Sequence, residues 1–289
     1  MKGFQDMLGA HARQRTLARQ LDRDVMQEST KRDSAIATGS GLLTGIAAGF
    51  IGVGGGEFRI PVLVELLRFP LKLAGGVNLV VGLFTVALGV LRRSGQQSLT
   101  RDDLVLVGIM GVVSLVGAAV GVFGRERLSV RPLRVVVCVY LIVVGLWMLY
   151  ESIAHVEHVI LEPMGILRWT LAALVAFAIA GVSGVLGVAG GEMRIPALLY
   201  LFGVPIIEAG TLSLIVSIPT VAAGAFTDRR LGGIPNSVVL IALLMGVASA
   251  VGVLIGAAFL PYANRDLIKG ALGVILLLAT VRLGVGPAH

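Results

Sequence analysis

Charge is scarce in this chain. Of its 289 residues only 14% are charged, whereas a soluble domain carries about 25%, and 56% are hydrophobic with a mean hydropathy of +0.92. That composition belongs in a bilayer. Cysteine is nearly absent too: Cys138 alone excludes an intrachain disulfide and a cysteine metal cluster, and its apolar surroundings read as packing. No P-loop, dinucleotide fingerprint or Gly-x-Ser-x-Gly motif occurs, so neither ATP hydrolysis nor intramembrane hydrolysis has a motif behind it. His155-x-Glu157-His158 lacks the helical His-Glu-x-x-His arrangement of a zinc hydrolase and reads as a solvated loop. No enzyme activity, metal or cofactor is therefore expected.

Long apolar runs fill the remainder. Stretches of crossing length, roughly 18 residues or more, lie at about 34–53, 72–91, 104–123, 132–150, 169–188, 206–226, 237–260 and 267–285. Shorter pieces at about 60–67 and 195–202 cannot span and read as half-helices or re-entrant segments. The expectation is an all-α integral membrane protein of about eight transmembrane helices plus two short re-entrant or half-helices.

The formal charge of +7 does not indicate nucleic acid. Seven basic residues (Lys2, Arg13, Arg15, Arg19, Arg23, Lys31 and Arg32) crowd the first 33 positions among five acidic ones, as in a tail held on the cytoplasmic side beside anionic lipid. Leu17, Leu21 and Val25 mark one face of a short amphipathic helix there. No cleavable signal peptide is visible, because the first apolar stretch is of transmembrane length. The tail places the amino terminus inside, at the cytoplasmic (inner) membrane; the later loops do not add to that assignment. Arg92-Arg93 and Asp228-Arg229-Arg230 read as interfacial anchors at corresponding helix ends.

One unusual phrase occurs twice. Gly52-Val53-Gly54-Gly55-Gly56-Glu57-Phe58-Arg59-Ile60-Pro61 returns 135 residues later as Gly187-Val188-Ala189-Gly190-Gly191-Glu192-Met193-Arg194-Ile195-Pro196, identical at eight of ten positions. The offset continues without a gap through Gly49 and Gly184, Ala74 and Ala209, Gly111 and Gly246, Ser114 and Ser249, and Gly117 and Gly252. Two homologous repeats follow: a basic tail at 1–33, a first repeat at 34–151, a polar connector at 152–168 and a second repeat at 169–285. Eight crossings make the repeats parallel; additional crossings at the short segments make them inverted. Paired interruptions at corresponding places in two halves point to a transport site where the halves meet.

The motif's chemistry favours an anion. Glycines permit a tight break and close backbone approach, and Pro61 and Pro196 suit the first turn of a new helix. A helix start presents unsatisfied amides and partial positive charge, so Gly55, Gly56, Gly190 and Gly191 become candidate binding positions. Arg59 and Arg194 add planar forks suited to sulfonate, sulfite or carboxylate. Glu57 and Glu192 leave three overlapping readings: a structural clamp with the arginines, direct substrate contact by the arginines, and proton coupling by the glutamates. Downstream, Asn78, Thr211 and Ser213 offer hydrogen bonds to an oxyanion, with Ser217 and Thr85 one and two turns further on. Such residues also serve as helix glue.

The paired glycine-rich motifs ending in Ile-Pro, the Ala-Gly stretches thirteen residues beyond each proline and the duplicated layout resemble the TauE/SafE sulfite exporter family. The resemblance covers about 40–150 and 175–285. It implies secondary export of small sulfur-containing anions, such as sulfite, sulfoacetate or other organosulfonates, with the family motif falling on Gly52, Gly54, Gly55, Gly56 and Pro61 and on Gly187, Gly190, Gly191 and Pro196. The second copy departs at Ala189, which suggests that the halves contribute unequally. A carboxylate carrier, an anion channel and an accessory membrane subunit are the alternatives.

Overall fold

The computed structural model describes residues 31–95, 99–125, 130–155 and 164–285. The Leu17, Leu21 and Val25 face and the connector residues Glu157, His158 and Glu162 lie outside the described residues, as does the side chain of Glu57. Ten α-helices occur in the described residues: α1 (Lys31–Ile51), α2 (Gly56–Pro61, continued by a π turn at Val62–Leu66), α3 (Leu71–Ser94), α4 (Arg101–Gly124), α5 (Val130–Ala154), α6 (Gly165–Leu186), α7 (Gly191–Phe202), α8 (Ile206–Arg230), α9 (Val239–Ala258) and α10 (Arg265–Val285). Among the described residues, helices α1, α3, α4, α6, α8 and α9 are the six both long and apolar enough to cross a membrane. The other long helices, α5 and α10, run 25 and 21 residues. The end of the expected polar connector, from Gly165 to Arg168, is the first turn of α6.

Glycine and proline set the helix ends. Helix α1 stops at Gly52 (φ +98°) and α6 at Gly187 (φ +74°), conformations that cost a side chain about 1 kcal/mol or more. The next helices restart at once from left-handed Gly55 and Gly190. Pro61 and Pro196 therefore do not open the short helices, as the sequence suggested, but sit at their sixth residue. There proline removes an intrahelical hydrogen bond, and in the first copy the chain widens into the π turn. Pro70 and Pro205 precede α3 and α8 in extended conformation, while Thr100 and Asp103 close a capping box on α4.

Small residues decide which helices touch. Gly41, Gly45 and Gly49 of α1 lie against Met245, Ser249 and Val253 of α9. Along α4, Gly117 meets Phe177 and Ala180 of α6, and Gly121 meets Gly181 and Gly184. Residue numbers rise together in both pairs, so each pair is parallel, and glycine lets the backbones approach where lipid supplies no hydrophobic drive. Two further pairs are antiparallel. Gly82 meets Val221, Gly89 meets Leu214 and Gly224 meets Leu79 between α3 and α8. Between α5 and α10, Cys138 Sγ lies 3.9 Å from the Thr280 carbonyl, Gly145 packs on Gly273, and Ser152 donates to the Asp266 carbonyl. The first helix of each half thus packs on the fourth helix of the other half.

Candidate functional site

The two glycine breaks meet face to face. A Cβ built on Gly54 would stand 3.0 Å from the Ala189 Cβ, and these are corresponding positions of the motif. Around that point the contacts are reciprocal: Gly191 approaches Val53, with 2.5 Å from a built Cβ to its carbonyl oxygen, and Gly56 approaches Val188 at 3.5 Å. Only one methyl fits between the breaks. Gly54 has φ +88°, whereas Ala189 does not belong to the residues of positive φ. The departure at Ala189 thus follows from a shared contact that accommodates a single side chain.

Each break holds one fully buried guanidinium. Arg59 donates from Nε to Asn78 Oδ1 at 2.8 Å, from Nη1 to Thr85 Oγ1 at 2.7 Å and Ser249 Oγ at 3.0 Å, and from Nη2 to the Gly54 carbonyl at 2.6 Å. Asn78 is itself fixed, its Nδ2 donating to the Gly187 carbonyl at 2.7 Å. Arg194 donates from Nη1 to Ser217 Oγ at 2.8 Å and the Ser213 carbonyl at 3.1 Å, and from Nη2 to Thr220 Oγ1 at 3.3 Å and the Ala189 carbonyl at 3.4 Å. Its Nε and the Ser213 hydroxyl are buried without a hydrogen-bond partner among the described residues. Glu192 is 4% exposed, and its charge acts on Arg194.

The two arrangements are similar but unequal. Thr85 and Thr220 correspond, and so do Asn78 and Ser213, yet Ser213 offers Arg194 its carbonyl rather than its side chain. Ser249 bonds Arg59, whereas its counterpart Ser114 is buried with no hydrogen-bond partner among the described residues. Ser217, which stands where the first half has Gly82, supplies Arg194's shortest bond instead. Thr220 and Ser249 escape the sequence reading. The 135-residue offset carries the signal for both: Thr220 is the counterpart of Thr85, and Ser249 is the counterpart of Ser114.

Thr211 goes elsewhere. It accepts from Arg93 Nε at 3.2 Å, and Arg93 also donates to the Gly49, Phe50 and Ile207 carbonyls at 3.3, 3.4 and 3.0 Å. Arg93 is therefore no interfacial anchor: it is fully buried, while Arg92 is exposed. Asp228 needs the same correction, being 6% exposed and paired with Arg125 at 3.1 Å. Arg230 is exposed and lies 4.4 Å over the Phe226 ring, as an anchor would. A lone charge inside a hydrophobic helix is expensive, and one turn of depth separates an anchor from a buried latch in ways hydropathy does not register.

A second polar cluster joins α5, α7 and α10. Glu151, the last residue of the first repeat as the sequence divides it, is fully buried within α5, where it pairs with Lys269 Nζ at 3.2 Å. Trp147 Nε1 and the Tyr200 hydroxyl donate to its two oxygens at 3.1 and 3.2 Å. Removing one member leaves the other charge buried. Lys269→Met is expected to lower stability by about 3–5 kcal/mol, and pairing it with Glu151→Gln to restore most of that; thermal unfolding in detergent measures both. His155 Nδ1 lies 2.7 Å from Asp266 Oδ2 in an exposed pair. No group of His, Cys, Asp and Glu able to hold a metal occurs among the described residues.

Comparison with known proteins places the chain. A family model described as Sulfite exporter TauE/SafE matches residues 37–283. No curated protein and no solved structure matches it.

Proposed function

Because the chain belongs to the TauE/SafE sulfite exporter family, we propose that it is an inner-membrane secondary transporter. It exports sulfite, sulfoacetate or related organosulfonates by alternating access, with the amino terminus in the cytoplasm. The observation that carries this reading is the meeting of the two breaks, each with a buried arginine held in place by several hydrogen bonds to hydroxyls, an amide and carbonyls. Hydroxyl and carbonyl acceptors satisfy a guanidinium's geometry, and its charge calls for an anion. A sulfonate offers both, and bidentate oxygen acceptors match the planar fork. As the anion arrives, Thr85, Ser249, Ser217 and Thr220 turn from accepting the arginines' protons to donating their own to the substrate. The arginines thus clamp the breaks in this closed conformation and recognise the anion when a gate opens. Glu192 acts on Arg194 as a counter-charge, and it takes up a proton when the anion binds.

Eight long helices organise this site, together with two short broken segments that carry the chain back across the membrane. Antiparallel packing of α3 on its counterpart α8, and of α5 on its counterpart α10, supports repeats related by a two-fold axis in the membrane plane, the inverted arrangement common among carriers. Counterflow of labelled sulfoacetate in liposomes containing the purified protein tests the substrate class. Saturable exchange inhibited by sulfite and sulfonates but weakly by acetate is expected. Stronger inhibition by carboxylates than by sulfonates would reassign it to a carboxylate carrier.

A further inference from the structure

Arg93 and Arg125 are not related by the 135-residue offset, yet their guanidiniums occupy corresponding places. Arg93 Nη1 donates to the carbonyls of Gly49 and Phe50 at the end of α1. Arg125 donates from Nη2 to Gly184 at 2.6 Å and from Nε to Val185 at 3.1 Å at the end of α6. Gly184 and Val185 are the counterparts of Gly49 and Phe50. The flanking glycines correspond as well: a Cβ on Gly210 would meet Arg93 Nη2 at 2.7 Å, and one on its counterpart Gly75 would meet Arg125 Nη1 at 3.6 Å. Where the first half has Arg93, the second has Asp228, whose carboxylate holds Arg125 at 3.1 Å. One half carries its guanidinium on α3; the other carries a carboxylate on α8 and takes the guanidinium from the end of α4. Two covalent routes to one placement mean that the position requires the cation itself, against carbonyls at the negative end of a helix.

The two cations lie on opposite sides of the arginine centre. Gly75, beside Arg125, is near the start of α3, and Arg93 is near its end, roughly 27 Å further along at 1.5 Å per residue. Arg59 binds Asn78 and Thr85 between them. Each outer cation ties the helix preceding a break to a neighbouring long helix, and with both in place Arg59 and Arg194 have no exposure.

We propose that Arg93 and the Arg125–Asp228 pair are the two gate latches, one for each face of the membrane, and that transport releases them in turn. This rests on the alternating-access reading above. The latches differ in make-up: Arg125 is bonded directly to a carboxylate, whereas Arg93 bonds a hydroxyl and carbonyls and has the charge of Glu208 acting on it.

A sided labelling experiment tests this. Ser114, buried and without a hydrogen-bond partner among the described residues, becomes the reporter as Ser114→Cys in a Cys138→Ala background. A membrane-impermeant maleimide is applied to vesicles of known orientation. Arg93→Gln is expected to speed labelling about tenfold from one face and Asp228→Asn by a similar factor from the other, the shift given by losing one or two net hydrogen bonds. Arg93→Lys, which keeps the charge, stays nearer the parent. Faster labelling from the same face in both variants, or unchanged labelling in both, overturns the latches, because simple loosening of the fold has no preferred side. Counterflow by the parent with unsided labelling would overturn the latches alone; sided labelling without counterflow would overturn the carrier reading and leave the gates standing.

Discussion

Arg59→Lys is expected to leave a folded protein whose half-saturating sulfonate concentration rises by about tenfold or more, and Arg59→Ala to abolish counterflow. The fork of Arg59 spans Asn78, Thr85, Ser249 and the Gly54 carbonyl, which no ammonium can reach together. Lysine retains the charge and loses bidentate geometry, worth about a factor of ten per 1.4 kcal/mol lost. Alanine strands four buried acceptors at about 1 kcal/mol or more each, so its yield and monodispersity must be measured beside its flux. The lysine variant separates recognition from folding: normal thermal stability with raised half-saturation supports substrate contact. Unchanged half-saturation in Arg59→Lys and in Arg194→Lys would leave both arginines as clamps only.

Gly187→Ala is expected to prevent stable folding. Gly187 ends α6 at φ +74°, and a Cβ there would run into the backbone of Gly75 at the start of α3. Backbone cannot swing away as a side chain can, so α3 must move, and with it Asn78, which is tied to the Gly187 carbonyl. Left-handed strain adds about 1 kcal/mol, but the collision is the larger effect. Gly39→Ala is the control, because nothing lies within 4 Å of a Cβ at that position. Expression and size-exclusion profiles in detergent measure the difference. A monodisperse Gly187→Ala protein with parental thermal stability would show that the crossing tolerates a side chain.

Much of the fold was legible because its determinants are local. Runs of apolar residues marked the long helices, and the repeated phrase marked both breaks, since glycine in left-handed conformation leaves a clear trace. The prolines misled: their preference for a first turn gave no hint that Gly55 and Gly190 had already restarted each helix. Tertiary partnership was harder to see. Thr211 looked equivalent to Ser213 as a ligand, but the bonds to Arg93 that separate them cross from one half to the other. Arg93, Arg125, Glu151 and Lys269 sit near helix ends, where hydropathy assigns charge to the interface; only the arrangement of neighbouring helices buries them. Position 93 against 228 was concealed further, because an arginine and an aspartate do not look like two solutions to one requirement.

The most direct test of the anion centre is the structure of the protein loaded with sulfoacetate. Sulfonate oxygens within hydrogen-bond distance of the Arg59 or Arg194 guanidinium, with Thr85, Ser249, Ser217 or Thr220 displaced from their present arginine bonds, are the predicted result. Sulfoacetate held elsewhere, with both arginines still bonded to those hydroxyls, would contradict the account.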